Sequence, residues 1–290
     1  MQFKGTGVAL VTPFTREGGV DEQALRKLVD FQINNGTDFL VVQGTTGETA
    51  TLTAEEKDRV LEIIIDQNKG KLPIVLGMAD NNTAALVEAF KSFDNDGVDG
   101  FLSASPHYNK PSQRGIIAHF ETIAAVTKKP IILYNVPGRT ASNMTAETTL
   151  ALAKVDNIVG VKEASGNMDQ VMQILKNAPE GFAVMSGEDA LAMPITAMGG
   201  HGVISVVANA LPKQFSTMIN ATFEGDLTTA KKEHFKVLDI TDSFFAEGNP
   251  SGIKYCLELL DIGTDEVRLP LTTISEELKS KMKSQLALID

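Results

Sequence analysis

Gly7-Val8-Ala9-Leu10-Val11-Thr12-Pro13-Phe14-Thr15 opens the first of eight apolar runs in this chain, and what ends that run decides the fold. A strand entering an open nucleotide-binding sheet would turn into its helix through Gly-x-Gly-x-x-Gly, which lets backbone approach a pyrophosphate. Here Thr12-Pro13-Phe14-Thr15 stands in that place. The other runs begin near Asp38 (DFLVVQGTTGE), Pro73 (PIVLGMAD), Asp99 (DGFLSASPHY), Pro130 (PIILYNVPG), Ile158 (IVGVKEAS), Phe182 (FAVMSGED) and His201 (HGVISVVAN), recurring every 19 to 35 residues. They are continuously apolar rather than alternating, as parallel strands covered on both faces should be. Eight βα units with no linker predict an α/β protein whose sheet closes into a (β/α)8 TIM barrel.

The intervening segments carry helix punctuation. Asp21 is placed to cap a helix with Leu25, Leu28, Val29 and Ile33 on one face and Gly36 just past its end. Thr53 and Glu56 form a capping box. Further helices are expected over Asn82 to Phe93, Ser112 to Val126, Thr145 to Ala153, Asn167 to Asn177, Asp189 to Met198 and Leu211 to Phe223. Residues 1–225 thus read as the barrel. Residues 226–290 read as a C-terminal helical extension (Thr228 to Phe245, Gly252 to Leu260, and a last helix opened by a Thr273-x-x-Glu276 box), too small to hold a full core alone.

The 290 residues include 26 basic and 37 acidic side chains, a formal charge of −11, and no Lys/Arg cluster. That field repels phosphate backbones and anionic membrane surfaces, so no nucleic acid and no membrane is expected as a partner. No apolar run approaches the length of a bilayer span, the N-terminus lacks a signal-peptide pattern, and the single Cys256 has no disulfide partner. A cytoplasmic protein is expected. No metal is expected either: His107, His119, His201 and His234 are scattered and no Cys pair exists. Ser186 lacks the Gly-x-Ser-x-Gly setting of a serine hydrolase, and Gly199, Gly200 and Gly202 precede a strand, which makes them a bottom-face turn.

Barrel active sites lie at the carboxyl ends of the strands. Of twenty lysines, Lys162 is set apart because it ends the apolar run Ile158-Val159-Gly160-Val161. Burial disfavours an ammonium and leaves a neutral amine able to attack a carbonyl. The alternative is a structural ion pair with Glu163 or Glu188, although Glu163, the next residue on a strand, should face the opposite way. Tyr134 and Arg139 end the fifth run, where a phenol can relay protons and a guanidinium can grip a carboxylate; each could equally be an ordinary core or loop residue. Gly44-Thr45-Thr46-Gly47 offers hydroxyls and freed N–H groups sized for a carboxylate, or else a plain tight turn.

In order and spacing, Gly44-Thr45-Thr46-Gly47-Glu48, Tyr134-Asn135-Val136-Pro137-Gly138-Arg139-Thr140, Gly160-Val161-Lys162-Glu163-Ala164-Ser165 and Gly202-Val203-Ile204-Ser205-Val206 closely resemble the dihydrodipicolinate (4-hydroxy-tetrahydrodipicolinate) synthase family. That family belongs to the pyruvate-dependent class I aldolases, with N-acetylneuraminate lyase. The resemblance covers essentially the whole chain. It implies that Lys162 forms an imine with pyruvate and that the derived enamine attacks L-aspartate 4-semialdehyde, the committed step of diaminopimelate and lysine biosynthesis. It implies Tyr134 as the proton relay, linked through Thr46 to Tyr108 from a neighbouring subunit. Thr45 and Thr46 would hold the pyruvate carboxylate, Arg139 the second substrate's carboxylate, and Gly187 and the Ile204 carbonyl would line the imine. No cofactor is implied, because the imine is the electron sink. A homotetramer built as a dimer of dimers is implied as well. Another pyruvate aldolase, such as a sugar-acid lyase, and a silent barrel acting as a scaffold are the alternatives; Pro137-Gly138-Arg139-Thr140 and the double threonine favour the synthase.

Lysine-inhibited relatives bind lysine near positions corresponding to Thr49, Ala50, Lys57, Asn81, Ala85 and His107. Here Lys57 stands where a histidine is typical, Ala85 where a glutamate would hold the effector's amine, and His107 where a tyrosine is typical. An added cation and a lost carboxylate both oppose a cationic ligand. Feedback inhibition by lysine should therefore be weak or absent, and strong saturable inhibition at low lysine in a rate titration would contradict this.

Overall fold

The computed structural model describes residues 3–289. Eight strands, β1 (Gly5–Ala9), β2 (Phe39–Val42), β3 (Ile74–Gly77), β4 (Gly100–Ala104), β5 (Ile131–Asn135), β6 (Ile158–Glu163), β7 (Ala183–Ser186) and β8 (Gly202–Ser205), follow one another around a closed parallel barrel. Helices α1 (Glu22–Asn34), α2 (Ala54–Asn68), α3 (Thr83–Ser92), α4 (Gln113–Ala124), the single turn α5 (Pro137–Thr140), α6 (Ala146–Leu152), α7 (Met168–Asn177), α8 (Ala192–Ala197) and α9 (Pro212–Phe223) cover it. Three more follow: α10 (Leu227–Phe245), α11 (Ser251–Leu259) and α12 (Glu276–Leu286). Among the described residues no helix is long and apolar enough to cross a membrane.

Both faces of the strands are dry, which is why they lack alternation. Phe39, Val41, Val75, Ile132, Met185 and Ile204 fill the barrel interior. Their strand neighbours Leu40, Ile74, Phe101, Ile131, Leu133 and Val203 pack outward against the helices. The interior is therefore a packed core, and room for a ligand exists only where the strands end.

Most helix starts are those the side chains specify. Asp21 accepts the Ala24 N–H, Gly36 takes φ +87° after α1, and the Thr53–Glu56 box is complete in both directions. Two expectations are corrected. The last helix is capped by Ser275, whose hydroxyl accepts the Leu278 N–H, rather than opened at Thr273; Glu247 binds both the N–H and hydroxyl of Ser275 and draws the start to that residue. The helix expected from Asp189 to Met198 is a 3-10 turn, Asp189–Leu191, followed by α8. Pro194 has no N–H with which to continue a regular helix from the preceding turn, and the Asp189 carboxylate is bound to β8.

The barrel closes where β1 pairs with β8, in the register Gly5 with Gly202 through Val8 with Ser205. Gly202 lies at φ +115°, and a Cβ there would sit 1.9 Å from the Gly5 carbonyl oxygen. The seam therefore requires glycine for both conformation and space. Gly202→Ala is expected to lower the unfolding free energy by about 3 kcal/mol or more, combining backbone strain with overpacking, read as a fall in the denaturant midpoint.

Candidate active site

Strand register brings the two chemical side chains together. Tyr134 of β5 pairs with Lys162 of β6, and both face inward at the barrel mouth. The Lys162 ammonium nitrogen lies over the Tyr134 ring, 4.5 Å from its centroid. Asn135 and Glu163, the next residues on each strand, also pair but face outward. There Glu163 accepts hydrogen bonds from Asn135 Nδ2, the Ser165 N–H and Gln170 Nε2 at 2.8 to 3.2 Å. Glu163 is thus a bracket between β5, β6 and α7, and not the partner of Lys162.

Lys162 is only 4% exposed and forms no salt bridge among the described residues. Burial lowers its pKa to about 8, against the upward pull of Asp189 and Glu188 and with a small push down from Arg139. Burial also raises the Tyr134 phenol to about 12. Asp189 and Glu188, just past β7, are both raised by desolvation. Asp189 is buried and held by the Ser205 hydroxyl and the Val206 N–H.

Thr45, Thr46, Tyr134, Arg139, Lys162 and Gly187 line one cavity of about 130 Å³. After Gly44 the chain makes a 3-10 turn over Thr45–Gly47. The bonds of that turn, Gly47 N–H to Gly44 O and Glu48 N–H to Thr45 O, leave the Thr45 and Thr46 N–H groups unclaimed by it. Arg139 sits in α5, a single turn begun by Pro137, and makes no salt bridge among the described residues. Gly187 leaves room for the amine: a Cβ there would lie 2.6 Å from the Ala164 Cβ and 3.1 Å from the Lys162 Cε.

Two further residues of the implied site do not line this cavity, and one of them, Tyr108, was expected from a neighbouring subunit. Ile204 packs in the barrel interior below the cavity, and the β8-end residue that lines it is Val206. The reason is register: Ile204 pairs with Gly7, within the ladder rather than beyond it. Tyr108 is 86% exposed, at φ +65° with its N–H on the Thr140 carbonyl, and lines neither this cavity nor the larger one beside it. That larger cavity, about 640 Å³, shares Thr45, Tyr134 and Arg139 with the first and adds Thr49, Ala50, Lys57, Ala85 and His107. Asn81 stands at its edge and is locked to His107 by two reciprocal bonds of 2.7 and 2.8 Å.

Residues from the C-terminal helices complete the site and carry no motif in the sequence. Phe245 and Asn249 line the smaller cavity, and Asn249 Nδ2 donates to Thr46 Oγ1 at 3.0 Å. Glu48, at φ +52°, is buried against Lys254 at 2.5 Å and accepts the Arg268 N–H at 2.9 Å. Lys254 also donates to the Glu266 carbonyl and lies over the Phe14 ring. The one available sequence signal was Gly248-Asn249-Pro250 breaking two helices, which looks like any other loop.

The Dihydrodipicolinate synthetase family model matches residues 2–289. A 4-hydroxy-tetrahydrodipicolinate synthase of Phocaeicola vulgatus is 48% identical over 98% of this chain and 96% of its own. The crystal structure of dihydrodipicolinate synthase from Aquifex aeolicus is 40% identical, with a TM-score of 0.94 over 98% of this chain and 97% of that one. The chloride-inhibited synthase of Acinetobacter baumannii, solved with pyruvate, is 36% identical, with a TM-score of 0.95 over 99% and 98%. Matched by that family model over nearly its whole length and by relatives of this identity and coverage, this chain belongs to the dihydrodipicolinate synthetase family.

Proposed function

We propose that this chain condenses pyruvate with L-aspartate 4-semialdehyde to give 4-hydroxy-tetrahydrodipicolinate, through an imine on Lys162. The observation that carries the reading is the buried Lys162 amine, drawn down to about 8, lying over the Tyr134 ring in a cavity that also holds Arg139 and the threonine turn. At pH 7 an amine of pKa 8 is neutral in about one molecule in ten, against about three in ten thousand at the ordinary 10.5. That gain in free nucleophile is the site's first contribution to rate.

The neutral amine adds to the pyruvate ketone, and loss of water leaves the imine. The N–H groups and hydroxyls of Thr45 and Thr46 hold the carboxylate. Removal of a methyl proton, relayed by Tyr134, gives the enamine, whose carbon attacks the semialdehyde while the aldehyde oxygen takes up a proton. That attack restores the Lys162 imine, and the amino group carried by the semialdehyde then adds to the imine carbon, closing the ring as the bond to the Lys162 nitrogen breaks and frees the amine. Arg139, with no salt bridge among the described residues, grips the second carboxylate. Gly187 supplies the space in which the Lys162 chain moves.

Tyr108 points away from its own cavity, so in this reading Tyr108 of the partner subunit completes the relay, within a homotetramer assembled as a dimer of dimers. Residues 226–290 act as an extension of the barrel that braces the site through Asn249 and Lys254. Lys57 and Ala85 in the larger cavity support weak lysine feedback, one adding a cation and the other lacking a carboxylate.

Borohydride reduction in the presence of pyruvate should fix one pyruvate-derived adduct on Lys162 by peptide mass mapping; no adduct, or one on another lysine, would falsify the mechanism. Arg139→Ala should keep that adduct while weakening use of the semialdehyde by about tenfold to a thousandfold in kcat/KM, the loss of a charged bidentate contact. The rate of imine trapping should climb with pH and level off above about 8, because the reactive form is the deprotonated amine. A rate still rising steeply at pH 10 would show that burial does not lower the Lys162 pKa.

A further inference from the structure

We propose that Glu188, just past β7, binds the α-ammonium of the second substrate and so makes the site selective for an amino aldehyde over the same aldehyde without its amine. The proposal rests on the reading above, in which the carboxylate of the semialdehyde goes to Arg139. That substrate carries its carboxylate and its ammonium on one carbon, so the group that holds the cation must stand close to the group that holds the anion. A carboxylate does this through charge-assisted hydrogen bonds.

Among the described residues, Glu188 is the one acidic side chain lining the smaller cavity, which also holds Arg139 and Lys162. Its main chain is clipped to the end of β7. The buried Ser186 hydroxyl donates to the Glu188 carbonyl at 2.7 Å and accepts the Glu188 N–H at 3.2 Å, which fixes where the side chain starts. The carboxylate itself has no hydrogen bond and no salt bridge among the described residues. Desolvation and Asp189 raise its pKa, while Lys162 and Arg139 favour the ionised form.

The other carboxylates near the mouth are already bound. Asp189 is buried on the Ser205 hydroxyl and the Val206 N–H, Glu48 is paired with Lys254, and Glu163 faces outward into its three donors. Glu188 therefore stands unclaimed beside the guanidinium that would take the substrate's other charge.

Succinate semialdehyde has the same chain, aldehyde and carboxylate and lacks the ammonium, so it isolates the contact. Glu188→Gln keeps the shape and removes the charge. Its kcat/KM for L-aspartate 4-semialdehyde should fall by about tenfold to a hundredfold, the worth of a charged hydrogen bond, while the inhibition constant of succinate semialdehyde as a competing aldehyde moves by less than about twofold. Trapping of the pyruvate adduct on Lys162 should not slow, since the charge removed is one that favours the ammonium form of that lysine. The thermal midpoint should hold, because the residue is exposed at the rim.

Equal losses toward both aldehydes, the mark of a side chain that only shapes the cavity, overturn the proposal, and so does an unchanged kcat/KM for the aspartate semialdehyde. If the glutamine variant does not fold, Glu188→Ala is read in the same way. A missing Lys162 adduct, or no turnover of the semialdehyde, in the unsubstituted protein would instead overturn the functional reading. An intact adduct and normal turnover with no discrimination at position 188 overturn this inference alone.

Discussion

Every group in the site depends on closure of the sheet between β1 and β8. An open sheet would leave Thr46, Tyr134 and Lys162 strung along an edge, whereas a closed one aims the carboxyl ends of all eight strands at one mouth. Closure rests on a glycine seam. The Gly202 backbone comes so near Gly5 that no side chain fits, and Gly5 in turn abuts the carboxylate of Asp38, which accepts the Thr6 N–H. The seam lies at the end of the barrel away from the chemistry, so stability and reactivity are handled by different residues.

Burial then separates side chains that are neighbours in sequence. Lys162 and Glu163 are adjacent and both nearly inaccessible, yet alternation along β6 sends them to opposite faces. The glutamate meets three donors and becomes structural. The lysine meets a ring face and a cavity, and burial draws its pKa down to about 8. A net charge of −11 is no barrier to carboxylates at such a site, since the Arg139 guanidinium stands in the cavity lining while more distant charges are screened by solvent.

The C-terminal helices act on the site rather than merely adjoining it. Lys254 and Glu48 form a buried pair whose desolvation is offset by further bonds, from the Arg268 N–H to the carboxylate and from the ammonium to the Glu266 carbonyl. Arg268 adds bonds to Glu56 and to the Thr51 and Gly18 carbonyls. The turn carrying Thr45 and Thr46 is thereby held from the far end of the chain, through contacts spanning more than 200 residues.

Much of this was legible in the residues because the relevant physics is local. Continuous apolar runs with helical spacers specify a covered parallel sheet, Asp21 and the Thr53–Glu56 box specify helix starts, and a lysine ending an apolar strand specifies a desolvated amine. Sequence alone therefore determined the barrel and the identities of Lys162, Tyr134, Arg139 and the threonine turn as residues of one mouth. Tertiary structure alone decided that Asn249 reaches Thr46, that Lys254 anchors Glu48 and that Val206 borders the cavity. The reason is range: capping and alternation act over a few residues and leave a pattern in the chain, whereas a hydrogen bond between residues 46 and 249 leaves none until the fold has brought them within 3.0 Å.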